Sequence, residues 1–166
     1  MTTLTHACLL AAMLVATSVG PVSGQAPAPK SAPAAHTVLF VCEHGAAKSV
    51  IAAAHFNKIA RERGLPYRAV ARGTAPDADI PNGVRQGLER EGLELVVPEP
   101  MRVSQTDAHE ASRVITFEIA LPNAIAPSSG TLTDWRAVPS VSADFGVASA
   151  DIKRRVEALI DELMKK

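Results

Sequence analysis

The chain has 166 residues, which suits one domain once a leader is set aside; 47% are hydrophobic and 20% charged. Lys and Arg number 17 against 17 Asp and Glu, so the formal net charge is zero. That balance excludes a broad electrostatic surface for nucleic acid or membranes, while a local basic pocket stays compatible with it.

Ala7 to Val19 is an uncharged apolar run, followed by small residues at Val22-Ser23-Gly24. This reads as a secretory signal over residues 1–24, although the segment before it holds His6 and no Lys or Arg. The run is short for a bilayer span, so an uncleaved anchor is the lesser alternative. Cys8 stands at the start of the run, which argues against a lipoprotein cysteine. Residues 25–35, with Pro27, Pro29 and Pro33, read as a Pro/Ala-rich linker, and residues 36–166 as the folded domain. The expected location is periplasmic or secreted, with no stable membrane association after cleavage. Cleavage would leave Cys42 as the sole cysteine and exclude an internal disulfide. A lone thiol in an oxidising compartment is either buried or used.

Thr37-Val38-Leu39-Phe40-Val41 reads as a buried parallel strand. A helix follows to about Arg63, with Ala52, Phe56, Ile59 and Ala60 at helical spacing. Gly64 and Pro66 stop it. Tyr67 to Ala71 reads as a second strand and 72–80 as a loop. A helix from Pro81-Asn82 ends near Glu91 before Gly92. Residues 93–103 read as irregular. Thr106 or Asp107 would cap a short helix ending near Ser112. Val114 to Phe117 is a third strand, 121–132 a loop, and a final helix runs from about Ser142 to Met164. His55 and His109 read as helix-surface residues. Alternating strands and helices predict an α/β domain: a three-layer open parallel sheet with helices on both faces. Ligands of such sheets bind beyond the carboxyl ends of the strands.

Cys42 stands at that end of the first strand and opens Cys42-Glu43-His44-Gly45-Ala46-Ala47-Lys48-Ser49. A helix N-terminus leaves backbone N–H groups unpaired, favours anions and stabilises a thiolate. Lys48 adds a cation; on a first helical turn it is unfavourable without an anion to meet it. Ser49 is either the helix N-cap or a hydrogen-bond partner of the thiolate. His44 reads as a loop residue. Cys42, His44 and His55 lack a zinc spacing, so neither metal nor cofactor is expected.

The run Val38 to Cys42, with five residues before Lys48-Ser49, resembles the low-molecular-weight protein tyrosine phosphatases and the related thioredoxin-coupled arsenate reductases. Their loop reads Cys, five residues, Arg, Ser. Arg72-Gly73-Thr74-Ala75-Pro76 resembles the family's Ser-Ala-Gly-Thr segment, Val114 to Phe117 its next strand, and Asp134-Trp135 its Asp-Pro. The likeness covers roughly residues 36 to 165. It implies Cys42 as nucleophile, the 43–48 amides (Glu43, His44, Gly45, Ala46, Ala47) and Lys48 as the cradle, and Ser49 on the thiolate. It implies Asp134 as general acid and base, and Trp135 as a pocket wall. Ordinary alternatives are a turn residue for Asp134 and core packing for Trp135. Lys48 replaces a bidentate arginine by a point charge, His44-Gly45 replaces Gly-Asn, and Trp135 replaces the proline.

The resemblance implies Cys-dependent hydrolysis of phosphomonoesters, weak because of Lys48, on a phosphorylated small molecule or phosphotyrosine peptide. A second reading is arsenate reduction. The mature chain lacks the two relay cysteines, so an external thiol would be required. A third is a non-catalytic module that binds an inorganic oxyanion.

Overall fold

The computed structural model describes residues 36–128 and 131–165. The signal segment, the linker and Cys8 lie outside the described residues. The elements are β1 (His36–Cys42), α1 (Lys48–Glu62), β2 (Tyr67–Gly73), α2 (Asn82–Arg90), α3 (Gln105–Glu110), β3 (Arg113–Thr116), β4 (Leu132–Asp134) and α4 (Phe145–Leu163). The four strands are parallel in the order β2-β1-β3-β4.

β1 lies between two partners and under helices on both faces, which explains its unbroken apolar run. Its side chains alternate. Val38, Phe40 and Cys42 join the core that includes buried residues of α1 and α4. Leu39 and Val41 join a smaller core with Val103, Ala108, Ala111 and Val114, on the α3 side. The three alanines Ala52, Ala53 and Ala54 are all buried and bring α1 close to the sheet. α1 ends as expected at Gly64, φ +63°, with Leu65 N–H donating to the Ala60 carbonyl at 2.9 Å and Gly64 N–H to that of Arg61 at 3.1 Å.

Three expectations shift. The α3 cap is Ser104, in a reciprocal pair with Asp107 at the third helical position, rather than Thr106 or Asp107. α4 starts at Phe145 and is capped by Asp144, whose side chain accepts from Val147 N–H at 3.0 Å. β4, read as the end of a loop, is a three-residue edge strand. Its first two residues are exposed, so no apolar alternation marks it.

His55, expected on the helix surface, is buried. Its Nε2 lies 2.8 Å from Ser149 Oγ of α4, and that hydroxyl donates to Glu91 at 2.7 Å, which links α1, α4 and the end of α2. Burial pushes His55 below its ordinary 6.5, with the Lys153 and Lys58 charges acting the same way; the Glu91 and Glu157 carboxylates partly oppose this. The unfolded chain therefore takes up this proton first. Stability contributed by neutral His55 is present above 6.5 and is lost as pH falls through that value. Thermal melts between pH 7.5 and 5.5 should fall more steeply for the wild type than for His55→Gln; equal slopes would remove His55 from the account.

Candidate active site

Cys42 is the last residue of β1 and is 8% exposed. Ser49 Oγ lies 3.1 Å from its sulfur and is fully buried. Ser49 does not cap α1; the cap position is Ala47, with no side-chain bond. Of the two roles open to Ser49, the structure therefore shows the contact with Cys42.

The loop between them is turned by its neighbour. The carbonyls of Cys42, Glu43 and His44 accept from the N–H groups of Thr74, Ala75 and Asp77 at 3.1, 2.8 and 3.1 Å. With its carbonyls held on that side, the loop makes no backbone donation from residues 43–47 among the described residues. Gly45 has φ +63°, and a Cβ there would sit 2.7 Å from Gly73 N. A Cβ on Gly73 would in turn lie 2.7 Å from Gly45 N. Neither glycine leaves room for another residue. The Arg72-Gly73-Thr74 segment is thus the brace of the loop.

Lys48 opens α1, and its Nζ donates to Glu118 Oε2 at 3.2 Å. Glu118 follows β3 with φ +56°, unusual for a residue with a side chain. Its N–H donates to Asp134 Oδ1 at 2.9 Å, and its Oε1 accepts from Ala137 N–H at 3.1 Å. The Ala137 N–H, then Lys48, hold the Glu118 carboxyl below the usual range, against some desolvation and the Asp134 charge. Cys42, Ala47, Lys48, Glu118, Val138 and Ser140 are among the residues lining a cavity of about 440 Å³.

The sequence-expected residues divide. Glu43 and His44 line the cavity, and His44 Nδ1 lies 3.0 Å from Asp77. Gly45 and Ala46 are buried in the loop beneath. Asp134 and Trp135 are not brought to the cavity. Asp134 Oδ1 also accepts from Thr116 Oγ1 at 2.9 Å, and Oδ2 faces Arg136 Nε at 3.0 Å. Its carboxylate borders the neighbouring groove instead. As the last residue of β4 it pairs with Thr116, and the chain reaches the Cys42 cavity only from Val138 onward. There it presents hydroxyls, Ser140 and Ser142, where a carboxylic acid was expected. Trp135 packs in the core, its ring centroid 5.7 Å from Phe40 and 5.6 Å from Phe117. Glu118 was not singled out from the sequence. Its place just beyond the carboxyl end of a strand was the one available signal. Among the described residues, no group of three or more His, Cys, Asp or Glu side chains could hold a metal ion.

Residues 37–134 match the family described as low molecular weight phosphotyrosine protein phosphatase, and the chain belongs to that family. No curated protein sequence matches it. Among solved structures it is similar to YfkJ from Bacillus subtilis, at 22% identity and a TM-score of 0.70, over 80% of this chain and 97% of that one. It is also similar to a low molecular weight phosphotyrosine phosphatase from Vibrio cholerae O395, at 20% identity and 0.68, over 78% and 97%. A thioredoxin-dependent arsenate reductase from Corynebacterium glutamicum matches at 21% and 0.66, over 81% of this chain and 65% of that one. At these identities the structural likenesses establish the fold.

The brace makes a contrast testable. Gly73→Ala should lower stability by about 1–3 kcal/mol, because backbone must move on both sides. Gly83→Ala, in α2 with nothing within 4 Å of its added Cβ, should be neutral or stabilising by up to about 1 kcal/mol. Urea unfolding of the two variants checks this; equal effects would contradict the close approach.

Proposed function

We propose that the protein is a Cys42-dependent phosphomonoester hydrolase, exported by its leader, that acts on aryl phosphates such as phosphotyrosine. The observation that carries this reading is the Cys42–Ser49 contact of 3.1 Å beneath a loop whose 43–47 amides make no backbone bond among the described residues. The Cys42 thiolate attacks phosphorus, the P–O bond to the leaving group breaks, and an S-phosphocysteine forms. The 43–48 amides and Lys48 stabilise the equatorial oxygens. Water then attacks phosphorus, the P–S bond breaks, and inorganic phosphate leaves. The Ser49 hydroxyl donates to the departing thiolate.

The leaving group makes the substrate class. With Asp134 engaged outside the cavity, its expected general acid is missing: of the carboxylates that line the cavity, Glu118 is held ionised by Ala137 and Lys48, and Glu43 stands exposed beside His44. Positioned proton transfer is worth about 10² to 10⁴ in rate. A phenol, ionising near pH 10, leaves without that help far better than an alcohol.

One observation favours the binding-module reading: Lys48 is already paired with Glu118. Arsenate reduction ranks behind both. Cys42 is the free cysteine among the described residues, so the two electrons would have to come from an external thiol.

The full chain, assayed under reducing conditions, should hydrolyse p-nitrophenyl phosphate and lose that turnover in Cys42→Ser. Alkyl phosphates should be slower by about 10² or more. No turnover by the wild type would move the assignment to an oxyanion-binding module. Lys48→Arg should raise kcat by about tenfold, since a guanidinium grips a phosphoryl group bidentately. An unchanged or lower value would count against Lys48 as part of the cradle.

A further inference from the structure

We propose that Glu118 is a specificity-determining residue that admits to the Cys42 cavity oxyanions bearing a proton, phosphate, arsenate and the monoanion of a phosphomonoester among them, and disfavours unprotonated ones such as sulfate. The proposal rests on the reading of the Cys42 loop as an oxyanion cradle. Glu118 and Cys42 line the same cavity, and Glu118 Oε2 is already 3.2 Å from Lys48 Nζ. An oxyanion that takes a second N–H of that ammonium has its oxygen about 5 Å or less from the carboxylate. An ionised carboxylate is acceptor-only, so at that range it repels a bare oxyanion, whereas an anion bearing an O–H can close to about 3 Å and donate to it.

Glu118 is also held where it is. Ala137 N–H fixes Oε1 at 3.1 Å, and Asp134 fixes the Glu118 amide at 2.9 Å in its left-handed conformation. These contacts keep the carboxyl ionised and oppose its swinging away when an anion enters. The same bonding makes it a poor proton donor, so its action is on what binds.

The test is protection of Cys42 in the full chain from iodoacetamide at pH 6, followed on the Cys42 peptide in a mass spectrometer, with an added small-molecule thiol as the internal control. At this pH phosphate and arsenate carry protons and sulfate carries none. In the wild type, phosphate and arsenate should protect at concentrations at least about tenfold below sulfate, the order of a carboxylate's repulsion of a further negative charge about 5 Å away at a protein surface. In Glu118→Gln, whose amide can donate, sulfate should come within about threefold of phosphate. Equal protection by sulfate and phosphate in the wild type, or an unchanged ratio in a folded Glu118→Gln protein, overturns the proposal and leaves the cradle standing. Failure of every oxyanion to protect Cys42 overturns the cradle itself, and this proposal with it.

Discussion

Three hydrogen bonds carry the site: Thr74, Ala75 and Asp77 donating to the carbonyls of Cys42, Glu43 and His44. A loop peptide has two polar sides, and fixing the carbonyl side decides where the N–H side looks. The bonds are possible because β1 and β2 run in register, with Cys42 opposite Gly73, so both strands end at one level. They also need the backbones to touch, which Gly45 and Gly73 permit by lacking side chains. The cradle is therefore a property of the sheet. The sheet in turn owes its position to the two cores on either face of β1.

On that frame the catalytic complement departs from the arginine-and-acid set that the family resemblance implies. Lys48 occupies the arginine position and is neutralised by Glu118. The carboxylate expected as acid, Asp134, instead ties the end of β3 to the turn beyond it through Thr116 and Glu118. On the proposed reading, a pocket with a weaker cation and with Asp134 turned away would keep nucleophilic attack but lose help for poor leaving groups. The fold is kept, and the substrate range we propose narrows towards phenolic esters.

Much of this was readable in the sequence. The apolar run Val38 to Val41 and the five-residue spacing to Lys48-Ser49 placed Cys42 at a strand end before a helix, and Ser49 lies 3.1 Å from its sulfur. Asp134 was misplaced because a landmark fixes which segment lies near a site, while side-chain direction depends on strand register. β4 was too short and too exposed to leave a periodic trace. Glu118 was hidden for a different reason. Its role depends on a left-handed backbone angle and on three tertiary partners, none of which has a local pattern. His55 shows the same limit: it stands on a face of α1 that α4 covers, and only the packing reveals that the face is buried.

Whether Cys42 acts as a nucleophile within an amide cradle is decided by trapping the phosphorylated enzyme. The full chain would be mixed with an aryl phosphate, quenched in acid within the first turnover, and its peptides weighed. One phosphoryl group is expected on Cys42 of the wild type, absent from Cys42→Ser. Hydrolysis with no label on Cys42, or with the phosphoryl group on another residue, would contradict it.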